Sequence, residues 1–230
     1  MPVTELALFH FKNNKSIDSP ENEAVKAKLL SGIKDQASYA SYPVYLLTQV
    51  EDPSYLYLVG GWESVETHME KWIPSKTNQD IMLQLQDNLE VAWLQHLDVS
   101  PGTLSPDSVN LESECSGIPL AAPVIAISRY FINPLKRGDF QSTLATNKHH
   151  LLEFTKASSI GGGWRLDPEK TEDVETNMKD EFVLFSGWGA IENHLKFAET
   201  ESFKEFGKIK GYLEGAEIKH ARRPSNVAAV

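Results

Sequence analysis

The sequence predicts an α+β chain made of two tandem copies of one unit, each in the order βαββαβ. Three observations predict it. A nine-residue string, Gly61-Trp62-Glu63-Ser64-Val65-Glu66-Thr67-His68-Met69, returns 126 residues later as Gly187-Trp188-Gly189-Ala190-Ile191-Glu192-Asn193-His194-Leu195. The residues ahead of each copy, 55–60 and 181–186, are both strand-like. Two further matches keep the same chain order: residues 6–11 against 125–130 upstream, and Trp93-Leu94-Gln95-His96 against Glu217-Ile218-Lys219-His220 downstream. Self-similarity at a fixed spacing is the mark of a repeated structural unit.

Each element has a local cause. In the first copy, residues 3–11 read as a strand. Pro20 stands where a first-turn proline is tolerated, and residues 21–36 read as a helix. Residues 42–50 and 55–62 are strands joined by Glu51-Asp52-Pro53-Ser54, which is turn chemistry, so they form a hairpin. Ser64 caps a helix running to about residue 72, where Pro74 interrupts it. A second helical piece spans 76–88, and 91–99 is the last strand. The second copy repeats this order at 124–131, 138–156, 158–166, 181–188, 190–206 and 212–221. The order is that of the ferredoxin-like unit. The domains expected are residues 1–100 and 123–230, the second ending in a C-terminal tail.

Between them, residues 101–122 read as a Pro- and Ser-rich acidic linker, with Pro101, Pro106, Pro119, Asp107, Glu112 and Glu114. The connection 167–180 reads as a mobile loop. Helices on one face of a sheet leave the other face bare. Two such faces closing together predict an intrachain pseudo-dimeric α/β barrel, with a pocket between the sheets or between a sheet and its helices.

Composition narrows the function classes. The 230 residues are 41% hydrophobic and 23% charged, which is ordinary globular usage. Lys and Arg number 22 against 32 Asp and Glu, a net charge of −10. Such a chain lacks the electrostatic footprint of a nucleic-acid or anionic-membrane binder. No apolar run reaches the roughly 18 residues a bilayer crossing needs, and the first residues do not read as a secretory signal. A cytoplasmic protein is expected. The single cysteine, Cys115, excludes a disulfide framework and a multi-cysteine metal site. No metal and no cofactor are expected. Gly161-Gly162-Gly163 lacks phosphate-loop spacing and runs into strand, and no hydrolase elbow or zinc motif is present.

The Gly-Trp-x-Ser/Ala-aliphatic-Glu-x-His string after a strand resembles the dimeric α/β-barrel superfamily. Gly60-Gly61-Trp62-Glu63-Ser64, continuing into Trp72-Ile73-Pro74-Ser75 and Asn78-Gln79, resembles fungal proteins with tandem domains of the antibiotic-biosynthesis-monooxygenase type. Residues 63–67 also resemble plant olivetolic acid cyclase, a polyketide cyclase of that superfamily. The resemblance implies cofactor-free monooxygenase, cyclase or dehydratase chemistry, or a stress protein. In one branch, that of chlorite dismutases, it implies haem. One departure stands out. The cyclase-like members carry a catalytic histidine in a Pro-x-His step, whereas this chain has Pro74-Ser75-Lys76-Thr77-Asn78. Asn78 hydrogen-bonds but is no base at neutral pH.

Helix and strand periodicity select the candidate residues. His68 borders the stripe Val65, Met69 and Trp72, and His194 takes the same flank beside Ile191, Leu195 and Ala198. Each is either a general base or a packing histidine copied by duplication. His96 shares a strand face with Ala92 and Leu94, and His220 shares one with Ala216 and Ile218, so both point to the inner face or its rim. The resemblance turns Phe9 and Phe11 inward in one copy and Ser128 and Tyr130 in the other, making Tyr130 either the hydroxyl donor or a buried tyrosine satisfied by backbone. Trp62 and Trp188 end inward rows, where they either stack on a flat ligand or fill the core. Asn147 sits inside the apolar stripe of its helix, which points to a ligand or to a buried bond to backbone.

The expected function is a small-molecule enzyme of secondary metabolism. Its substrate is an apolar polyketide- or terpenoid-like compound, and its chemistry is cofactor-free proton transfer leading to cyclisation, dehydration, isomerisation or oxygenation. A non-catalytic ligand-binding barrel and a haem protein are the alternatives. Each expected site resides within one chain, and a homodimer is left open.

Overall fold

The computed structural model describes residues 1–101, 117–155, 160–167 and 179–224. Cys115, most of the linker and most of the 167–180 connection lie outside the described residues. The chain divides into two compact units. Of the described residues, 1–101 and 221–224 belong to the first and 117–220 to the second.

In the first unit, β1 (Val3–Phe11) leads through Pro20–Asn22, a single 3-10 turn, into α1 (Glu23–Ala40). The hairpin β2 (Val44–Gln49) and β3 (Tyr55–Trp62) follows. A π-helical segment (Thr67–Trp72) and α2 (Lys76–Leu85) lead to β4 (Leu89–Leu97). The strands are antiparallel in the order β4-β1-β3-β2. Each helical crossover therefore skips one strand, as a βαββαβ unit requires. Ala221 and Arg222 pair with Gln49 and Thr48 in this unit.

The second unit repeats the plan: β5 (Val124–Ile132), α3 (Arg137–Thr155), β6 (Ile160–Trp164), β7 (Asp180–Trp188), α4 (Ile191–Phe197), α5 (Glu201–Phe206) and β8 (Leu213–Arg222). Its order is β8-β5-β7-β6. Both units are thus mixed α+β with antiparallel sheets.

The boundaries follow local chemistry. Asp52 Oδ1 accepts from the backbone N–H of Ser54, a two-residue Asx turn that closes the β2–β3 hairpin. Ser64 Oγ accepts from the Thr67 amide and Ser75 Oγ from the Asn78 amide, which caps the two helical pieces on either side of Pro74. α1 runs four residues past the expected end at Gln36. Its added turn carries Tyr39, whose ring centroid lies 5.0 Å from that of Trp72. Tertiary packing thus prolongs a helix whose sequence offers no stop before Ser41.

Helices cover one face of each sheet. Val25, Leu29 and Ile33 of α1 pack on Ala7, Leu46, Leu56 and Leu58. Phe140, Leu144 and Leu151 of α3 pack on Tyr130, Phe182 and Leu184. Burying each such large side chain contributes about 1.5–3 kcal/mol. Residues 117–120, expected to be linker, are buried, with Ile118 and Leu120 nearly inaccessible. Apolar side chains in a Pro/Ser-rich stretch have found a core. No helix among the described residues is long and apolar enough to cross a membrane.

Gly161 shows how tightly that stretch is held. A Cβ built there falls 2.5 Å from the backbone oxygen of Gly117. Gly161→Ala is expected to destabilise the second unit by about 1–3 kcal/mol through overpacking against main chain, measured as a lower urea midpoint with unchanged slope.

Candidate active site

Each strand that ends in tryptophan is followed by a short connection and a helical turn. That geometry brings the histidine six residues on back over the indole. In the second unit the His194 ring stacks on Trp188, with centroids 4.4 Å apart and planes at 19°. In the first, His68 stacks on Trp62 at 4.2 Å and 7°. The last strand then delivers a second imidazole. His194 Nδ1 lies 2.8 Å from His220 Nε2, and His68 Nδ1 lies 2.7 Å from His96 Nε2. All four predicted histidines thus form two equivalent hydrogen-bonded pairs, from partners 26 and 28 residues apart.

The second-unit pair borders a cavity of about 360 Å3 between the sheet and its helices. Ser128 and Tyr130 reach it from β5, Leu184 and Ser186 from β7, and Ala216, Ile218 and His220 from β8. Leu151, Phe197, Phe203, Phe206 and Ile209 close it from the helical side, with Lys210 the one lysine or arginine among the described residues that line it. Burial, then the field of His220, pushes the His194 imidazole down to about 4. It is therefore neutral at physiological pH. Burial pushes the Tyr130 phenol up to about 12, against the opposing effect of its hydrogen bond with Ser128, so Tyr130 is a neutral donor.

The first-unit pair is more deeply buried, with His68 1% and His96 0% exposed. Here a carboxylate joins the pair. Glu5 Oε2 accepts from Trp62 Nε1 and from Gln36 Nε2, both at 2.8 Å, and lies 3.9 Å from His68 Nε2. Burial raises the Glu5 carboxyl above the ordinary carboxylate range, although Trp62, His96 and Gln36 each pull the other way. A cavity of about 200 Å3 opens beside it, lined by Phe9, His68 and Asn78 among others.

Not every predicted residue faces a cavity. Asn147 Nδ2 donates to the Thr143 carbonyl in its own helix at 2.9 Å, and the residue does not line either cavity. A backbone acceptor one turn away was enough to let the amide be buried. Trp62 and Trp188 serve as platforms under the histidines, donating to Glu5 and to Ser186 Oγ, and line neither cavity. Phe11 is core packing. His96 sits behind His68 without lining the cavity. The Asn78 amide nitrogen donates to the Ile73 carbonyl at 2.9 Å, which leaves its oxygen as the group able to meet a ligand.

The strand register also corrects the alignment of the copies. Val3 pairs with Trp62 and Val124 with Trp188. Phe9, opposite Leu56, therefore corresponds to Tyr130, opposite Phe182, and Glu5 corresponds to Ala126. Matching the apolar runs alone placed Phe9 against Ser128, two residues off, because a shift of two keeps every side chain on its face. Sequence reasoning missed Glu5, Gln36 and Ser186. A signal existed for Glu5: it has the inward parity of Val3, Ala7 and Phe9, where a charged residue needs a partner.

The mixed α+β fold of this chain is shared by several solved structures. Solved structures of that fold align along nearly the whole chain. An anthrone oxidase-like protein aligns at a TM-score of 0.67 and 15% identity, covering 100% of this chain and 92% of its own. A proposed monooxygenase from Fusobacterium nucleatum subsp. nucleatum aligns at 0.60 and 9%, covering 100% and 97%. A proposed chlorite dismutase aligns at 0.59 and 8%, covering 97% and 95%. No protein-family model and no curated protein matches the sequence.

The depressed His194 pKa has a measurable consequence. Between about pH 4 and 6.5 the unfolded chain binds a proton at this residue that the native state does not. Stability therefore falls as pH drops through that window. NMR titration is expected to show the His194 ring neutral down to about pH 4, and replacing it with leucine is expected to flatten the acid limb of the unfolding curve.

Proposed function

We propose that the second unit is the active unit of a small-molecule enzyme that performs acid/base chemistry without a cofactor on a flat, apolar, polyketide- or terpenoid-like substrate of secondary metabolism. The observation that carries this reading is the neutral His194 imidazole, hydrogen-bonded to His220, in an apolar cavity that also holds the neutral Tyr130 hydroxyl. At about 360 Å3 the cavity falls within the roughly 300–1,000 Å3 of small-molecule sites.

His194 Nδ1 is engaged with His220, so Nε2 is the nitrogen that accepts the substrate proton. With its pKa pushed down to about 4, this imidazole is by itself a weak base. An anion forming beside it stabilises the imidazolium, and His220 shares the charge. Proton transfer is therefore favoured only with substrate seated. The enolate or phenolate oxygen so formed is held by the Tyr130 and Ser128 hydroxyls. The stabilised carbanion can then close a ring, expel a leaving group, be reprotonated elsewhere or take up dioxygen. The anthrone oxidase-like and monooxygenase neighbours support the oxygenation branch. We place the chain with fungal proteins having tandem domains of the antibiotic-biosynthesis-monooxygenase type, as a cytoplasmic protein with neither nucleic acid nor membrane as partner.

Haem fits this cavity poorly. Among the described residues Lys210 is the one lysine or arginine in its lining, a single cation for the two propionates of haem.

The test uses 1,8-dihydroxyanthrone in aerated buffer with no added cofactor. The purified protein is expected to shift the probe to its anion band and then to the anthraquinone, with one dioxygen consumed and one water released. His194→Ala and His220→Ala are expected to lower turnover by about 10²–10⁴-fold, and Tyr130→Phe by a smaller factor. Full turnover in all three variants overturns the reading. An anion band without turnover in the parent protein reassigns it as a binding protein.

A further inference from the structure

The first unit holds a carboxyl that its structural partners do not require. Trp62 needs an acceptor for its indole N–H, and the second unit meets the same need for Trp188 with Ser186 Oγ at 2.9 Å. Burying a carboxyl in place of a hydroxyl costs desolvation. Yet Glu5 is 3% exposed, and Gly60 opposite it in the register leaves it room: a Cβ there would lie 3.0 Å from Gln36 Nε2 and 3.5 Å from Glu5 Oε2. At the corresponding positions the second unit carries Ala126 and Ser186. The acid is thus built into one copy only.

Its two oxygens are used unequally. Trp62 and Gln36 both donate to Oε2, and His68 approaches Oε2 as well. Among the described residues Oε1 takes no hydrogen bond, while Glu5 lines the first unit's cavity. Phe9, Leu58, Val91 and Leu94 line the cavity together with the uncharged amides Gln36, Asn78 and Gln79 and with His68, and among the described residues its wall includes no lysine or arginine. Such a wall favours an uncharged ligand. The volume of about 200 Å3 is below the roughly 300 Å3 at which drug-sized sites begin, so the ligand is of single-ring size.

We propose that this cavity is a second, independent binding site, which takes a neutral single-ring carbonyl compound and holds its oxygen by a hydrogen bond from the Glu5 carboxyl. The protonated acid is the donor, and its elevated pKa, caused by burial, keeps the proton available. The His68–His96 pair behind Oε2 can replace that proton. The two units then differ in polarity: the second presents a proton acceptor, the first a proton donor.

Acetophenone and ethylbenzene test this directly, since they share a shape and differ in the acceptor oxygen. Calorimetry on the full chain is expected to show acetophenone binding about tenfold more tightly, the worth of one good hydrogen bond. With carbonyl-13C acetophenone, the bound C=O stretch is expected to move to lower frequency. Glu5→Met removes both the preference and the shift. Phe9→Trp fills the cavity without touching the acid and abolishes binding of both probes. His194→Ala leaves all of it unchanged, which separates this site from the proposed active cavity. Equal affinity for the two probes in the parent chain overturns the proposal. So does a carbonyl shift that survives Glu5→Met, or binding that survives Phe9→Trp. Should Glu5→Met fail to fold, the parent-chain spectrum and Phe9→Trp still decide.

Discussion

The imidazole–imidazole hydrogen bond laid on an indole plane is the contact around which each unit is arranged. It joins the helical turn after β3 or β7 to the end of β4 or β8, elements on opposite sides of the first strand in the sheet order. The pair can meet only if the last strand sits beside β1 or β5 and the helical crossover returns across the sheet. Two imidazoles hydrogen-bond each other where water is excluded, so neither ring is left as a buried polar group without a partner. The same contact decides where a cavity can form, because it props the helical layer away from the sheet next to polar atoms.

The two units share that frame and differ at the positions next to it. In the first unit, glycine at 60 and glutamate at 5 place a carboxyl on the Trp62 indole, with the histidines almost inaccessible. In the second, serine at 186 and alanine at 126 remove the acid, leave His194 half-buried beside a larger cavity, and put Tyr130 where the first unit has Phe9. One exchange at the indole's acceptor changes the electrostatics of the whole pocket. A carboxyl beside an imidazole favours holding a proton between them. A hydroxyl there offers no charge, and burial then keeps the imidazole neutral.

The tryptophans illustrate a general economy in such sites. Placed at strand ends, they look like platforms for a flat ligand. Their indole faces are already occupied by the histidines at 4.2 and 4.4 Å. The aromatic surface therefore fixes the orientation of the histidine ring. Asn147 teaches a related lesson. A polar residue inside an apolar stripe demands a partner, and the helix's own carbonyl one turn earlier can provide it.

The sequence by itself determined the two repeated units and the order of their elements, and it singled out the four histidines as candidates. Those features are written in local chemistry: strand alternation, caps at Ser64 and Ser75, the break at Pro74, and a Gly-Trp string that repeats whole. The face on which Ser128 and Tyr130 lie was legible for the same reason, since side chains alternate strictly along a strand. Only the tertiary structure decided that the histidines are paired, that Trp62 and Trp188 lie beneath them, and that Glu5 completes one copy alone. Pairing joins residues 26 and 28 positions apart on different elements, and nothing in either stretch encodes the other's approach. Register between strands is set by packing across the sheet. A slip of two residues preserves every hydrophobic pattern in the sequence while moving Glu5 and Tyr130 to different neighbours.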